Sequence, residues 1–240
     1  MSRRVYIALV VALGVTILVA GTALIVVLRD RGRPSPAALL RPTGIPAAVT
    51  TLEANLMALS PVPTRPATPF TLVDQNGRTV SLAQFRGHPI VLNFMDPHCT
   101  DICPLVSQEL RDAAADLPAR ARSTVFLAID VNPYVRTPAG LDTFSRAHGL
   151  TQIATWHFLA GPLSTLRALW HAYGIQVIAR GPTADVVHTS LTYFIGPRGH
   201  LRYVAAPQVD HTAAGVAFLP PSQLRNWGAG IAAVAASLVR

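Results

Sequence analysis

The amino-acid sequence predicts an α/β sandwich that follows a single N-terminal transmembrane helix. An uncharged apolar run covers residues 5–28, and strand-like apolar runs alternate with segments of helical periodicity from residue 70 onward. The two cysteines of the chain, Cys99 and Cys103, stand where one of those strands passes into a helix. Alternating strands and helices are typical of a sheet with helices packed on its faces.

The composition excludes two broad classes of protein. Of the 240 residues, 50% are hydrophobic and only 13% are charged, which excludes a disordered chain. The net charge is +8, and the 20 basic residues are all arginines that are scattered along the chain rather than clustered. No nucleic-acid partner is therefore expected. Arginine without lysine, together with abundant alanine, valine and proline, indicates a GC-rich bacterial genome.

Residues 1–33 are predicted to form a membrane anchor. As a helix, the uncharged run from residue 5 to residue 28 would span about 36 Å, more than the roughly 30 Å hydrocarbon core of a bilayer. A signal peptide usually has a shorter apolar region of about 7–15 residues, so an uncleaved anchor is favoured over cleavage near Ala20. Two arginines precede the run and three follow it, and this count favours a cytoplasmic C-terminal domain.

Residues 34–68 are predicted to be a proline-rich tether to a domain that covers residues 69–240. Eight prolines occur from Pro34 to Pro69, too many for regular structure except in the gap between residues 47 and 60. Within that gap four apolar residues have helical spacing, namely Val49, Leu52, Leu56 and Leu59. This spacing is compatible with a short amphipathic helix, packed either on the domain or on the membrane surface.

The domain opens with a predicted hairpin and a buried strand. Residues 70–73 and 79–82 flank the pair Asn76-Gly77, which accepts the positive φ angles of a tight hairpin turn. Residues 90–95 then form a nearly continuous apolar run. Such a run is typical of a strand that is covered on both faces of a sheet.

The later elements continue the alternation and end in a hairpin and a helix. Apolar periodicity predicts helices over residues 105–117, 141–148 and 163–173, and a second buried strand is predicted over residues 125–129. A Gly-Pro-Arg-Gly turn joins residues 186–195 to residues 201–204, which predicts a closing hairpin. The alanine-rich segment 221–239 is predicted to be the last helix.

Cys99 and Cys103 are the candidate reactive residues. A thiol at a helix N-terminus lies near free backbone N–H groups and the positive end of the helix dipole, which lowers its pKa. A spacing of four residues places both sulfurs on one side of the first turn, where they could close a disulfide or hold one ion. A purely structural disulfide is disfavoured, because so short a loop removes little entropy from the unfolded chain. Soft thiolates select Cu(I) or Zn²⁺, but two of them leave the ion short of ligands.

A third ligand would have to come from a distant part of the chain. Among the eight histidines, His188 stands out because it lies in the apolar strand pattern of residues 186–195, where an imidazole needs a partner. By itself this pattern is more typical of a core histidine than of a metal ligand. The residues alone therefore leave both interpretations open.

The motifs around these residues resemble the SCO/SenC family. The run HCTDICP at residues 98–104 is similar to the family's THCPDICP-type copper site, and VVHTSLTYFIGPRGHL at residues 186–201 is similar to its later histidine strand. Residues 70–78 and 85–94 resemble the family's opening hairpin and first buried strand. The resemblance covers about residues 70–204, in the order in which the family has these motifs.

The resemblance implies a thioredoxin-like domain that carries copper. By that resemblance Cys99, Cys103 and His188 are the ligands of Cu(I) or Cu(II), and the copper is delivered to a cytochrome c oxidase subunit or another recipient protein. It also implies a single-pass anchor in a bacterial cell membrane, with the domain on the extracytoplasmic side, contrary to the arginine count. Reduced thiolates are needed to bind the metal, so a disulfide between the cysteines would switch such a site off.

Several residues depart from the family pattern or have ordinary explanations. Thr100 stands where the family usually has proline, and the family's DPxxDTP motif keeps only Asp130, with Arg136 in place of the second acid. Any docking or metal tuning that depends on that second acid is not expected here. Asp101 is expected to stabilise the helix dipole, and His98 is expected to be a solvated histidine rather than an auxiliary ligand.

Two enzymatic alternatives use the same cysteines. In a thiol-disulfide oxidoreductase, Cys99 would attack a partner disulfide and Cys103 would resolve the mixed disulfide. Enzymes with that activity usually have a C-x-x-C motif, whereas three residues separate the two cysteines here. A peroxiredoxin needs a threonine three residues before the attacking cysteine, where this chain has Asp96.

Overall fold

The computed structural model describes residues 40–184, 186–207 and 209–239. The transmembrane helix predicted over residues 5–28, and the whole predicted anchor of residues 1–33, lie outside these ranges. Within them, no helix has both the length and the apolar character that crossing a membrane requires.

Twelve β-strands in the described ranges form one large sheet and two short strand pairs. In chain order they are β1 (Ser60–Pro61), β2 (Thr71–Asp74), β3 (Thr79–Ser81), β4 (Ile90–Met95), β5 (Val125–Asp130), β6 (Trp156–Ala160), β7 (Val177–Ile178), β8 (Val187–His188), β9 (Thr192–Ile195), β10 (Leu201–Ala205), β11 (Asp210–His211) and β12 (Ala217–Phe218). The large sheet has the order β1-β10-β9-β4-β5-β6-β2-β3. Its three central strands β4, β5 and β6 are parallel, and the outer strands pair antiparallel.

Five α-helices of the described chain cover the two faces of the sheet. They are α1 (Thr51–Leu56), α2 (Cys103–Asp116), α3 (Pro138–Ala147), α4 (Leu163–Ala172) and α5 (Pro221–Leu238). Buried side chains of α1, α2, α3 and α5 belong to one apolar core, and those of α4 belong to a second core. Neighbouring apolar residues of β4 alternate between the two cores, so the sheet separates them. This architecture confirms the predicted α/β sandwich.

The predicted opening hairpin is confirmed as β2 and β3. Gly77 has the positive φ of 76° that its turn position requires. The buried Asp74 accepts hydrogen bonds from the backbone N–H groups of Asn76 and Arg78, each at 2.9 Å. These bonds fix the turn from within the sheet.

The predicted continuous strand over residues 186–195 is wrong, because the structure divides it. Val187 and His188 form β8, which pairs only with β7, whereas Thr192–Ile195 forms β9 between β10 and β4. An apolar run does not specify its pairing partner, and here its two halves pair with different strands. His188 therefore lies on a short hairpin outside the large sheet.

The domain begins before residue 69, the boundary that the proline count predicts. Val49, Ala54, Met57 and Leu59 are buried in the core that α5 shares, and β1 pairs with β10. Thr50 caps α1, since its side chain accepts from the backbone N–H of Glu53. The short helix packs on the domain through Ala54 and Met57, whereas Leu52 of the predicted apolar stripe is exposed. Residues 49–61 are thus part of the folded unit rather than of a tether.

Candidate metal centre

The two cysteines meet at the carboxyl end of the central strand β4. The chain leaves β4 at Met95, turns through a loop that carries Cys99, and enters α2 at Cys103. Cys99 is half-buried and Cys103 is buried, and neither is in a disulfide. The backbone N–H of Cys103 donates to Cys99 Sγ at 3.3 Å. The structure therefore brings the two predicted cysteine ligands together, with one sulfur facing outward and the other inward.

The two cysteine thiols have different pKa values. A hydrogen bond from the Cys103 thiol, helped by backbone N–H groups of Cys103 and Asp101 and opposed by burial, lowers the pKa of Cys99 to about 7. The same contact and the burial of Cys103 raise the pKa of the Cys103 thiol well above its ordinary value. At neutral pH Cys99 is therefore a substantially ionised nucleophile, and Cys103 keeps its proton.

This difference predicts selective alkylation of the apoprotein. We expect iodoacetamide to modify Cys99 with a rate that rises through a midpoint near pH 7, because only the thiolate is nucleophilic. Cys103 is 2% exposed and should react far more slowly. Peptide mapping by mass spectrometry across pH 5–9 measures both rates. Equal rates, or a Cys99 midpoint near that of a free thiol, would contradict the assigned hydrogen bond.

The buried side chain of Asp96 holds the cysteine loop in place through hydrogen bonds. Asp96 is 1% exposed, and its Oδ1 accepts from the backbone N–H of His98 at 2.9 Å and from Asn132 Nδ2 at 2.8 Å. Its backbone carbonyl also accepts from the N–H of Cys99 at 3.1 Å. Asn132 follows β5, so this pair joins the loops at the carboxyl ends of two neighbouring parallel strands. Asp96 and Asn132 were not predicted as supports of the loop, although each is a polar residue that follows a buried strand closely in the sequence.

His188 lies half-buried on β8 with one ring nitrogen engaged. Its Nδ1 lies 3.1 Å from the carbonyl oxygen of Thr189. A carbonyl oxygen can only accept, so Nδ1 carries the proton and the Nε2 lone pair remains free to bind a metal. Burial lowers the pKa of His188, against opposing effects of the Thr189 carbonyl and the Asp96 carboxylate. The imidazole is therefore neutral at physiological pH, which is the form that ligates metals.

The three predicted ligands do not form a ready-made cluster. Among the residues that the structure describes, no group of three or more histidine, cysteine or acidic side chains is close enough to hold a metal ion. The carboxylate of Asp96 nevertheless acts electrostatically on Cys99, Cys103 and His188. The cysteine pair is thus formed, whereas His188 does not complete a three-ligand site with it.

The residues of the altered acidic motif have structural roles. Asp130 ends β5 fully buried, its Oδ1 accepts from the backbone N–H of Asn132 at 2.7 Å, and burial raises its pKa well above the usual value. Its Oδ2 has no hydrogen-bond partner within the described ranges. Arg136 is exposed and donates to the carbonyl of Gly161 at 3.4 Å. Asp130 is therefore a fully buried structural residue, and its side chain is not accessible for docking.

The loop between the cysteines also contacts a late hairpin. Asp101 Oδ2 lies 3.7 Å from Nε2 of His211 on β11, and both side chains are about half exposed. His98 is exposed, as expected. The sequence analysis did not connect His211 with this loop, because 110 positions separate it from Asp101.

The sequence is similar to a known protein family and to individual proteins of two bacteria. The sequence model of the SCO1/SenC family matches residues 61–216. A protein of Stutzerimonas stutzeri that is named as copper-binding is 31% identical over 161 residues, which is 65% of this chain and 76% of that protein. A protein of Mycobacterium tuberculosis strain H37Rv that is named as a peroxiredoxin is 32% identical over 105 residues, 44% of this chain and 60% of that protein.

The fold agrees with solved structures that carry the Sco name. The structure of Bradyrhizobium japonicum ScoI, described as having copper bound, superposes with a TM-score of 0.50 at 22% identity. The superposition covers 70% of this chain and 98% of that one. The predicted thioredoxin-like α/β architecture is thereby confirmed for the domain.

Proposed function

Because the chain belongs to the SCO1/SenC family, we propose that it is a membrane-anchored copper carrier. Cys99, Cys103 and His188 bind the copper, and a recipient protein, such as a cytochrome c oxidase subunit, receives it. The observation that carries the proposal is the pairing of the cysteines at the start of α2, where the backbone N–H of Cys103 donates to Cys99 Sγ at 3.3 Å. The copper-binding name of the Stutzerimonas relative supports the choice of metal.

The chemistry of the donor set suits copper. Thiolates are soft ligands that favour Cu(I), and the pKa of Cys99, at about 7, makes its thiolate available at neutral pH. Binding must displace the proton of Cys103, so copper uptake releases protons. A neutral imidazole with a free Nε2 is a competent third ligand for Cu(I), and with one more donor the set can hold Cu(II).

His188 must move relative to the cysteines to complete the set. It lies on the two-stranded β7–β8 hairpin, which shares no hydrogen-bonded strand pairing with the eight-stranded sheet. A displacement of this hairpin therefore costs no hydrogen bond of the large sheet. We infer that the cysteines bind the copper first and that the β7–β8 hairpin then moves so that His188 also binds it. Oxidation of the cysteines to a disulfide prevents the first of these steps.

Replacing His188 distinguishes a copper carrier from an exchange enzyme. In the reduced full-length protein in non-ionic detergent, His188→Ala is expected to weaken Cu(I) binding at least about 10-fold, because it removes a ligand, and even the loss of a residue that only hydrogen-bonds a ligand costs about 10–100-fold. Disulfide exchange, which needs only the cysteines, should be nearly unchanged. Competition with a Cu(I) chelator measures the affinity, and His171→Ala, which alters an exposed histidine on α4, is the control. Equal affinity of the wild type and His188→Ala would remove this residue from the site.

A thiol-disulfide oxidoreductase is the second candidate function, favoured by the unequal acidities of the cysteines. The Cys99 thiolate would attack a substrate disulfide and release one substrate thiolate, and Cys103, once deprotonated, would then attack Cys99 Sγ and release the other. The product is an oxidised Cys99–Cys103 pair, which a donor dithiol must reduce. Reduction of a model disulfide that persists in His188→Ala, without measurable copper binding by the wild type, would favour this activity.

We also propose that residues 5–28 anchor the protein in the membrane with the domain on the extracytoplasmic side. An uncharged run of this length supports an anchor, and a dithiol that captures copper for a recipient outside the cytosol supports the orientation. In intact bacterial cells, a membrane-impermeant maleimide is expected to label Cys99 of the reduced protein. Labelling only after lysis would place the domain in the cytoplasm and overturn the orientation.

A further inference from the structure

A second candidate site lies in a cavity of about 660 Å³. Its walls are the turn between β9 and β10, the last residues of α5, and parts of the early segment that includes Pro46. A volume of this size falls in the range of small-molecule sites, roughly 300–1,000 Å³. The cavity is therefore large enough for an organic ligand.

The cavity is distant from the cysteines. In the antiparallel pairing of β9 with β4, Ile195 lies opposite Ile90, the first residue of β4. The turn that lines the cavity follows Ile195, whereas the cysteine loop follows Met95 at the other end of β4. A strand of this length separates its two ends by about 17 Å. The cavity is thus independent of the proposed copper site.

The described part of the lining is basic. Arg198, His200 and Arg202 line the cavity, and no aspartate or glutamate of the described residues does. Neither Arg198 nor Arg202 forms an ion pair within residues 40–184, 186–207 and 209–239. A further arginine, Arg86, donates to the backbone carbonyl of Arg198 and so adds positive charge beside the turn. Among the residues that the structure describes, the guanidinium donors of Arg198 and Arg202 therefore have no acidic partner.

Apolar residues complete the wall beside these donors. Leu238 is buried and Val239 half-buried at the end of α5, and Pro46 and Tyr203 are half-buried. An inorganic anion would contact only the basic part of such a wall. A molecule with both an anionic group and an apolar body would contact both parts.

We propose that this cavity binds a phosphate group, either free or carried by a small molecule with an apolar body. The planar fork of a guanidinium matches two oxygens of a phosphate, and Arg198 and Arg202 of the lining are the residues that would supply this recognition. The apolar wall favours a phosphate that is carried by a small molecule, because the hydrocarbon part of that molecule can be buried against the wall.

Calorimetric titration of the full-length protein in non-ionic detergent tests this assignment. Inorganic phosphate and butyl phosphate are the two probes, and butyl phosphate is expected to bind at least about 5-fold more tightly, since it buries additional CH₂ groups. Equal affinities for the two probes would support the site and identify free phosphate as its ligand. Binding of neither probe below millimolar concentrations would overturn the proposal.

Two double variants show whether butyl phosphate binds in this cavity or is attracted by the positive charge of the whole protein. Arg198→Gln/Arg202→Gln is expected to weaken butyl phosphate binding at least about 10-fold, because two charge-assisted contacts are lost. The control, Arg78→Gln/Arg120→Gln, removes the same charge from two exposed arginines elsewhere and should change affinity less than about 2-fold. Equal weakening in both variants would indicate non-specific charge attraction and overturn the site.

A structural role of the arginines has a different signature. If Arg198 and Arg202 only neutralise the carbonyl end of α5, their removal lowers the melting temperature and leaves butyl phosphate affinity unchanged. That result overturns the proposal. Circular dichroism of each variant separates such destabilisation from a loss of ligand contacts.

Discussion

Cys103→Ser in the reduced full-length protein is expected to abolish Cu(I) binding, from about one ion per chain to none. A serine hydroxyl is a hard donor that does not ionise near neutral pH, so it cannot replace the thiolate. Cys99→Ser should have the same effect, since each change leaves a single soft ligand. Binding is measured by equilibrium dialysis against a Cu(I) chelator of micromolar affinity, under conditions that keep both cysteines reduced.

The matched control for this loss is Thr100→Ala. Thr100 lies exposed in the same loop, and its side chain forms no hydrogen bond within the described residues. We expect its copper stoichiometry to equal that of the wild type. Retention of about one copper by Cys103→Ser would show that the ion is held elsewhere, and the proposed carrier mechanism would then fail.

The second large effect concerns Glu109, a carboxyl group buried in the helix that Cys103 begins. Glu109 is 1% exposed, and its Oε1 has no hydrogen-bond partner within the described chain. Burial, and to a lesser degree the nearby carboxylate of Asp112, raise the pKa of Glu109 to about 8. At neutral pH the folded protein therefore keeps a proton that the unfolded chain has released.

This retained proton makes stability fall as pH rises. The unfolded state loses the proton near pH 4.3, so between about pH 4 and pH 8 it binds fewer protons than the native state. The free energy of unfolding then decreases by about 1.4 kcal/mol per pH unit, roughly 2–4 kcal/mol by pH 7. The contribution is thus favourable only at acid pH, opposite to that of a carboxylate with a depressed pKa.

Glu109→Gln should remove this dependence. The amide has nearly the same shape and no ionisation, so the variant is expected to be about 2–4 kcal/mol more stable at pH 7 and equal to the wild type below pH 4. Urea unfolding followed by tryptophan fluorescence at several pH values measures the difference. Asp116→Asn, which removes an exposed carboxylate from the same helix, should leave the pH profile of the wild type. A constant difference between Glu109→Gln and wild type at all pH values would contradict a buried neutral acid.

Most local elements of the fold followed from the sequence, but the central strand β6 was not predicted and residues 186–195 contain two strands instead of one. The apolar run of residues 90–95 is the strand β4, and the Asn76-Gly77 pair forms the turn of the first hairpin. The segment 221–239 contains α5, which ends at Leu238. These features depend on residues that are neighbours in the chain, so periodicity and turn chemistry suffice to predict them.

The packing of the core moves the start of the domain to a position before the one that the proline content predicts. Prolines indicated a tether as far as residue 68, but Val49, Met57 and Leu59 are buried against the domain. Prolines exclude regular structure only where they stand, and the proline-free segment between them docks a short helix through residues that include Ala54, which the predicted stripe did not contain. Likewise, the pattern of residues 186–195 did not reveal that Val187 pairs with Ile178 while Tyr193 pairs with Leu92.

The sequence alone determined which chemistry is available: two thiols one helical turn apart at the end of a buried strand, and a later histidine. Only the tertiary structure decided how those groups differ, because acidity depends on what surrounds each atom in space. The Cys103 thiol lowers the pKa of Cys99, and Asn132 holds Asp96 below the loop. Burial of Glu109, and the cavity that Pro46 and Leu238 form with Arg198, also arise between segments far apart in the chain, where local sequence patterns carry no information.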